Sequence, residues 1–230
     1  MRFRAITFSL LVSFAILCQA LIAQAPRVAS ESRELIFEFG KYPCDGFRGN
    51  IDILIGELQR NPRWGGIVIN SGVEEDAVSA LMREEMIRNH VEFRGFDSSK
   101  IRYERTIATD FNTRFFNVPL SALTSATQRD YRLQGVSAPV TIRDYDFDDL
   151  CPPFDYLKFF GSVLEQNPAS SATILVRDRT FQLADKRRRK IIKSLVTLRK
   201  IEKNRIKTFL IEKPDFNYGN DAYVEYRFIP

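Results

Sequence analysis

Leu58-Gln59-Arg60-Asn61-Pro62 returns 106 residues later as Leu164-Glu165-Gln166-Asn167-Pro168. Proline disfavours helical geometry in the residue before it, so each copy of Asn-Pro marks the end of a helix. The echo extends in both directions. Upstream, Phe39 and Cys44 answer to Phe147 and Cys151, allowing one-residue gaps. Downstream, Ile67-Val68-Ile69 matches Thr173-Ile174-Leu175, and Arg83, Met86, Ile87 and Ile101 match Arg188, Ile191, Ile192 and Ile206 at an offset of 105. Both copies close alike, with Arg114-Phe115-Phe116-Asn117-Val118-Pro119 against Tyr226-Arg227-Phe228-Ile229-Pro230. Order and spacing persist throughout, which chance explains poorly: one unit has been written twice.

Each copy has a readable order of elements. In the first, a strand over Glu34 to Phe39 precedes a helix from about Phe47 to Arg60, whose Ile51, Leu54, Ile55 and Leu58 fall at helical spacing. Gly66 to Ile69 is a short buried strand. Glu74-Glu75-Asp76 places acid at the start of a second helix, where the dipole favours it, and Gly95 ends that helix. Strands near Ile101 to Ile107 and Thr113 to Val118 complete the unit. In the second copy the corresponding elements are strand Val140 to Phe147, helix Pro152 to Gln166, strand Thr173 to Val176, helix Phe181 to Lys200, and strands Arg205 to Ile211 and Tyr223 to Ile229. The expected fold is therefore α/β: two tandem β-α-β-α-β-β two-layer sandwiches over residues 31–119 and 139–230, each with both helices on one sheet face. The Ser-, Thr- and Ala-rich stretch 120–138 reads as their linker.

The N-terminus has the pattern of a signal peptide over residues 1–25. Arg2 and Arg4 precede an apolar run from Ala5 to Ala23, and Ala23-Gln24-Ala25 supplies a small-x-small cleavage site, with cleavage after Ala20 as a variant. An uncleaved N-terminal anchor is the alternative. Export is the expectation, with no membrane-spanning segment in the mature chain. Without Arg2 and Arg4 the formal net charge falls from +5 to +3, too mild to argue for nucleic acid. What basic excess there is lies in the second half. Lys186 to Lys190 is unbroken and is followed by Lys193, Arg199, Lys200, Lys203, Arg205 and Lys207, whereas Arg27 to Arg114 carries 13 basic and 15 acidic side chains. A solvated helix face is one reading of that run; attraction to an anionic polymer or lipid headgroups is the other.

The second helix of each copy carries an arginine inside its apolar stripe. Ala184, Ile191, Leu195 and Leu198 form the stripe in copy two, with Arg188 among them. In copy one the stripe is Ser79, Met86, His90 and Phe93, with Arg83 in the corresponding place. A guanidinium directed at a sheet needs a carboxylate, backbone carbonyls or an anionic ligand. Internal candidates are Glu74, Glu75 and Asp76 in copy one, and Asp178 and Asp185 in copy two.

This order, with an inward Arg early in the second helix and 18 residues before the Ile of the next strand, resembles the OmpA-like C-terminal domain of bacterial envelope proteins. Arg83 to Ile101 and Arg188 to Ile206 both keep that spacing. The resemblance implies a periplasmic or outer-membrane-associated protein that binds the diaminopimelate carboxylate of peptidoglycan through Arg188 and Arg83. The family's Asp after the second strand is answered only by Asp178, since copy one has Asn70-Ser71-Gly72 there. The loop between strand and helix is also shorter than the family's in both copies. A scaffold whose units have lost the ligand site is the competing expectation.

Little else suggests chemistry. The chain has no nucleophile motif, phosphate loop or metal-spaced cluster, so neither an enzyme nor a cofactor is expected. His90, the single histidine, is expected to be a satisfied, half-buried residue. Asp144, Asp146, Asp148 and Asp149 offer oxygen ligands for Ca²⁺, but they end a strand and fit a solvent-facing alternation better. Cys44 and Cys151 hold equivalent places, which suits a shared small buried residue; an inter-domain disulfide between them is the other possibility.

Overall fold

A computed structural model describes residues 33–40, 44–73, 77–123, 129–133, 136–145, 154–211 and 222–230. The signal-peptide segment, Glu74 to Asp76, Asp146, Asp148, Asp149 and Cys151 lie outside them. Strand and helix alternate in the first half as β1 (Glu34–Phe39), α1 (Cys44–Arg60), β2 (Trp64–Gly72), α2 (Ala77–Phe93), β3 (Ile101–Ile107) and β4 (Asn112–Pro119). The second half follows with β5 (Val140–Tyr145), α3 (Tyr156–Gln166), β6 (Ser171–Arg177), α4 (Phe181–Ile192), β7 (Ile206–Leu210) and β8 (Tyr223–Ile229). Asp155 and Thr180 accept hydrogen bonds from the backbone N–H of Lys158 and Leu183, so α3 and α4 start where their first free N–H groups find side-chain oxygens.

The strands build two four-stranded sheets of identical connectivity, β1-β4-β2-β3 and β5-β8-β6-β7. In each, one pair is parallel, with Gly66 opposite Ile101 and Ala172 opposite Ile206, and the last strand runs antiparallel between two others. Both helices of a half share one core with one sheet face. In the first half Ile51, Leu54, Leu58, Ile87 and Val91 meet Val68, Ile101 and Phe115. In the second, Phe160, Val163, Leu164, Ile191 and Leu195 meet Ile174, Val224 and Tyr226. The opposite face of the first sheet carries a small cluster of Ile67, Ile69 and Val118 with Phe116 and Leu123. Leu123 lies so close there that a Cβ on Gly65 would fall 2.0 Å from its Cδ1.

The second helix of the first half differs from its expected stripe by one residue, whereas that of the second half buries Ala184, Ile191 and Leu195 as expected and leaves Leu198 exposed. In α2 the residues facing the core are Ala80, Ile87 and Val91, while Phe93 is 79% exposed. In α4 they are Ala184 and Ile191, followed by Leu195. The two helices therefore superpose at an offset of 104, not 105. The missing residue reappears immediately afterwards. Lys193–Leu198 forms a π-helical turn, so the helix expected to run to Lys200 is α-helical only to Ile192. Its wider turn absorbs one extra residue. Phe96 N–H reaches back to Val91 in the first half, whereas Ile201 N–H reaches back to Leu195 in the second. Gly95 and Lys200, again 105 apart, both adopt positive φ, at 65° and 60°.

Residues 33–230 form one compact unit, and α2 is what joins its halves. One side of α2 covers its own sheet. Val78 and Leu81, with Met82 beside them, enter the core of the second half. Tyr131 and Leu133 of the expected linker are fastened into the same seam. Tyr131 is buried against Phe159 at 6.0 Å between ring centroids, its N–H donates to Gln166 Oε1, and Asn167 Nδ2 donates to its carbonyl. The repeated Asn-Pro thus does a second task in the second copy. Asn167 Oδ1 also accepts from Leu133 N–H.

Candidate functional site

The first-half arginine lies where an inward guanidinium was expected. Arg83 Nη1 donates to the Gly40 carbonyl at 2.8 Å and to Thr113 Oγ1 at 3.1 Å, at the edge where β1 ends and β4 begins. Its Cζ stands 4.2 Å from the Phe111 ring centroid and 5.4 Å from that of Phe39. Thr113 passes the polarity inward by donating to Asn70 Oδ1 at 2.7 Å. Asn70 and Thr113 are fully buried, and Asn70 Nδ2 finds no acceptor among the described residues. Asn70, which answers to the ligand-holding Asp, lies within β2 and accepts from Thr113 inside the fold.

The second half puts a different arginine in that place. At the helix offset of 104 the counterpart of Arg83 is Arg187, whose Nη2 lies 3.4 Å from Asp144 Oδ2 at the end of β5. Tyr226 packs beneath, and burial together with the nearby Asp144 charge pushes its hydroxyl well above the usual phenolic range. Arg188, expected to be the inward residue, turns aside. It binds Asp185 on its own helix through Nε at 3.0 Å and Nη2 at 2.6 Å, and stays partly exposed. The reason is the register: Arg188 corresponds to Glu84, a residue on the side of α2 that looks toward the second half. Asp178 sits in the loop after β6, where its Oδ1 accepts from Arg179 N–H at 2.7 Å; no hydrogen bond joins it to Arg188.

Other expected residues take internal partners. His90 Nε2 is 2.8 Å from Asp52 Oδ1, and Asp52 also accepts from Arg94. The Arg94 hydrogen bond, acting against burial and aided by His90, holds the Asp52 carboxyl below its ordinary value. Asp144, the described member of the acidic stretch, is the one paired with Arg187. Cys44 opens α1, and the Cys44–Cys151 pairing falls outside the described residues because Cys151 does. Among the described residues no three His, Cys, Asp or Glu side chains gather to hold a metal ion, and no helix is long and apolar enough to cross a membrane.

No family model and no curated protein sequence matches this chain.

Two buried charge clusters escape sequence reading. At the seam between halves, Arg88 binds Glu84 at 2.8 Å and lies over the Tyr103 ring at 3.8 Å, while Glu85 accepts from Tyr131 and stands 3.4 Å from Arg129. In β8, Glu225 is buried and accepts from Arg143 at 2.7 Å and Arg227 at 2.6 Å. Burial opposes its ionisation, yet the two guanidinium bonds carry its carboxyl below the ordinary range. The Glu225 signal was present as a strand alternation, Val224-Glu225-Tyr226, though nothing in it named the partners.

Proposed function

We propose that this chain is a non-enzymatic, exported component of a bacterial cell envelope, built from two OmpA-like units whose inward arginines hold the fold together instead of a ligand. It resides in the periplasm or at the outer membrane and acts as an interaction scaffold. The observation that carries this reading is the matched pair of arginines 104 residues apart. Arg83 is bound to Gly40 O and Thr113, and Arg187 is paired with Asp144, so each has taken a protein group where a ligand carboxylate would sit. Supporting it, α2 is closed over by the second half, which suits a rigid body better than an open cleft.

Purified peptidoglycan sacculi provide the test. Sedimentation of the chain with sacculi should give retention that is weak and unchanged by Arg83→Ala, Arg188→Ala or Asp178→Asn. One observation favours the second reading, a peptidoglycan site in the second half: Arg188 remains partly exposed, and among the described residues the one bond to the Asp178 carboxylate comes from its own loop. Strong retention lost on Arg188→Ala and on Asp178→Asn, with thermal stability intact, would establish that site and overturn the scaffold reading.

A further inference from the structure

The basic run divides by residue type. Every arginine in it is committed: Arg187 to Asp144, Arg188 and Arg189 to Asp185, Arg199 to Glu165, and Arg205 to the carbonyls of Leu164, Asn167 and Ser170. Every lysine is not. Lys186, Lys190, Lys193, Lys200, Lys203 and Lys207 are exposed, and their side chains make no hydrogen bond or ion pair among the described residues. Guanidinium groups suit planar, fixed pairing, whereas ammonium groups stay hydrated on flexible stems and act as point charges.

Three of these lysines, with Arg189, make a stripe. Lys186, Arg189, Lys190 and Lys193 follow i, i+3, i+4, i+7 spacing and so share one face of α4. Between Asp185 and Glu202 the chain has eight basic residues and no acidic one. The corresponding face of α2 is the one that packs into the second half. Val78, Leu81 and Met82 become Gln182, Asp185 and Lys186 in α4 at the same offset of 104. Without those apolar residues this face of α4 is polar, like the outer face of a capping repeat. A terminal face needs only polarity, however, and a mixture of charges would serve. Here the one acid on the face, Asp185, is already bound by Arg188 and Arg189, and the remaining excess from Lys186, Lys190 and Lys193 calls for an anionic partner.

We propose that the outer face of α4 docks on an anionic phospholipid surface. Apolar side chains beside the stripe favour a membrane over a dissolved polyanion. Leu183 precedes Lys186 and Lys190 by three and seven residues and is 45% exposed, while Phe181 and Leu198, at the two ends, are 59% and 70% exposed. Lysines near an anionic leaflet attract headgroups, and neighbouring apolar side chains add area at the acyl boundary. The proposal rests on this face alone and stands apart from the scaffold reading.

Co-sedimentation with vesicles tests it, using phosphatidylcholine alone and phosphatidylcholine with an equal part of phosphatidylglycerol. Comparing the two compositions cancels any contribution from the apolar residues 5–23. Binding should favour the anionic vesicles and fade as salt approaches about 1 M, where screening acts within roughly 3 Å. Lys186→Gln/Lys190→Gln/Lys193→Gln should lower the partition coefficient on the order of a hundredfold with unchanged thermal stability, because these side chains have no partners to lose. Leu183→Ser should lower it several-fold without altering capture on polyphosphate beads. Equal binding to both vesicle types, or equal binding of the triple variant, overturns the proposal. Capture on polyphosphate beads without vesicle binding overturns the lipid assignment.

Discussion

Tyr131, from the segment between the halves, donates its hydroxyl to Glu85 Oε2 at 2.9 Å, and both residues are buried. The bond ties α2 to the core of the second half at the point where Val78 and Leu81 already enter it. A phenol held against a carboxylate away from water keeps its proton strongly. Burial first, and then the Glu85 charge, push the Tyr131 hydroxyl up to about 12.

The pH dependence follows from that direction. A raised folded-state value means that the folded protein keeps the proton when the unfolded chain has begun to lose it. The stabilisation is complete below about pH 10 and is lost as pH rises toward about 12. At pH 8, Tyr131→Phe should cost about 1–3 kcal/mol by leaving Glu85 short of a donor. Urea denaturation at pH 8, 10 and 11 should show the gap between wild type and variant narrowing. A gap that stays constant to pH 11 would mean that folding does not raise the Tyr131 hydroxyl above its unfolded value.

Arg83 and Arg188 should respond oppositely to truncation. Arg83→Ala removes the donor to Gly40 O and Thr113 and uncovers Phe111, for an expected loss of about 2–4 kcal/mol. Arg188→Ala removes a partly exposed pair within one helix turn and should stay within about 0.5 kcal/mol. Arg187→Ala is the informative control, since it should resemble the first of these. Chemical denaturation of the three variants decides the order. If Arg188→Ala proved the most damaging, the helix register described above would be wrong.

The repeated order of elements and three of the eight pairs of strand limits were legible because they depend on short-range signals: Asn-Pro stops, alternating strands and apolar steps. Glu34 to Phe39, Ile101 to Ile107 and Tyr223 to Ile229 match the observed strands at both ends. The inward arginine of the second half was not legible. The sequences align through Ile101 and Ile206 at 105, and that spacing was carried back into a helix that superposes at 104. Only the π-helical turn at Lys193–Leu198 accounts for the difference, and a wide turn has no composition of its own. The seam was hidden for another reason. Glu84, Glu85 and Arg88 look like an exposed charged face until a second unit covers them, and the charge pattern of one helix does not reveal its neighbour.

Gly95 and Lys200 close equivalent helices with equivalent positive φ, but only glycine does so without a Cβ penalty. Lys200→Gly should therefore stabilise the second half, by up to about 1 kcal/mol after the added freedom of the unfolded chain is set against the relieved strain. Gly95→Ala should destabilise by about 1 kcal/mol, although its Cβ would meet nothing within 4 Å. Thermal melts of the two single variants check the pair. Opposite signs are the expected result, and a loss in Lys200→Gly would show that the lysine side chain matters where it stands.

Arg205 carries the final prediction because it is the basic residue most easily mistaken for surface charge. Its Nε donates to Ser170 O at 2.7 Å, and its Nη2 donates to Leu164 O at 2.9 Å and Asn167 O at 2.8 Å. Those carbonyls lie at and beyond the C-terminal turn of α3, where helix geometry leaves acceptors without intrahelical donors. A positive charge also complements the negative end of the helix dipole there. Arg205→Ala should cost about 2–4 kcal/mol, since several acceptors lose a charged donor together. Arg205→Lys should recover less than half of that loss, because one compact ammonium cannot span the three directions that the planar fork serves. Vesicle binding should be unchanged in Arg205→Lys, whose charge is conserved and whose side chain belongs to the fold. Equal stability of the alanine variant and wild type would place Arg205 with the solvated lysines instead.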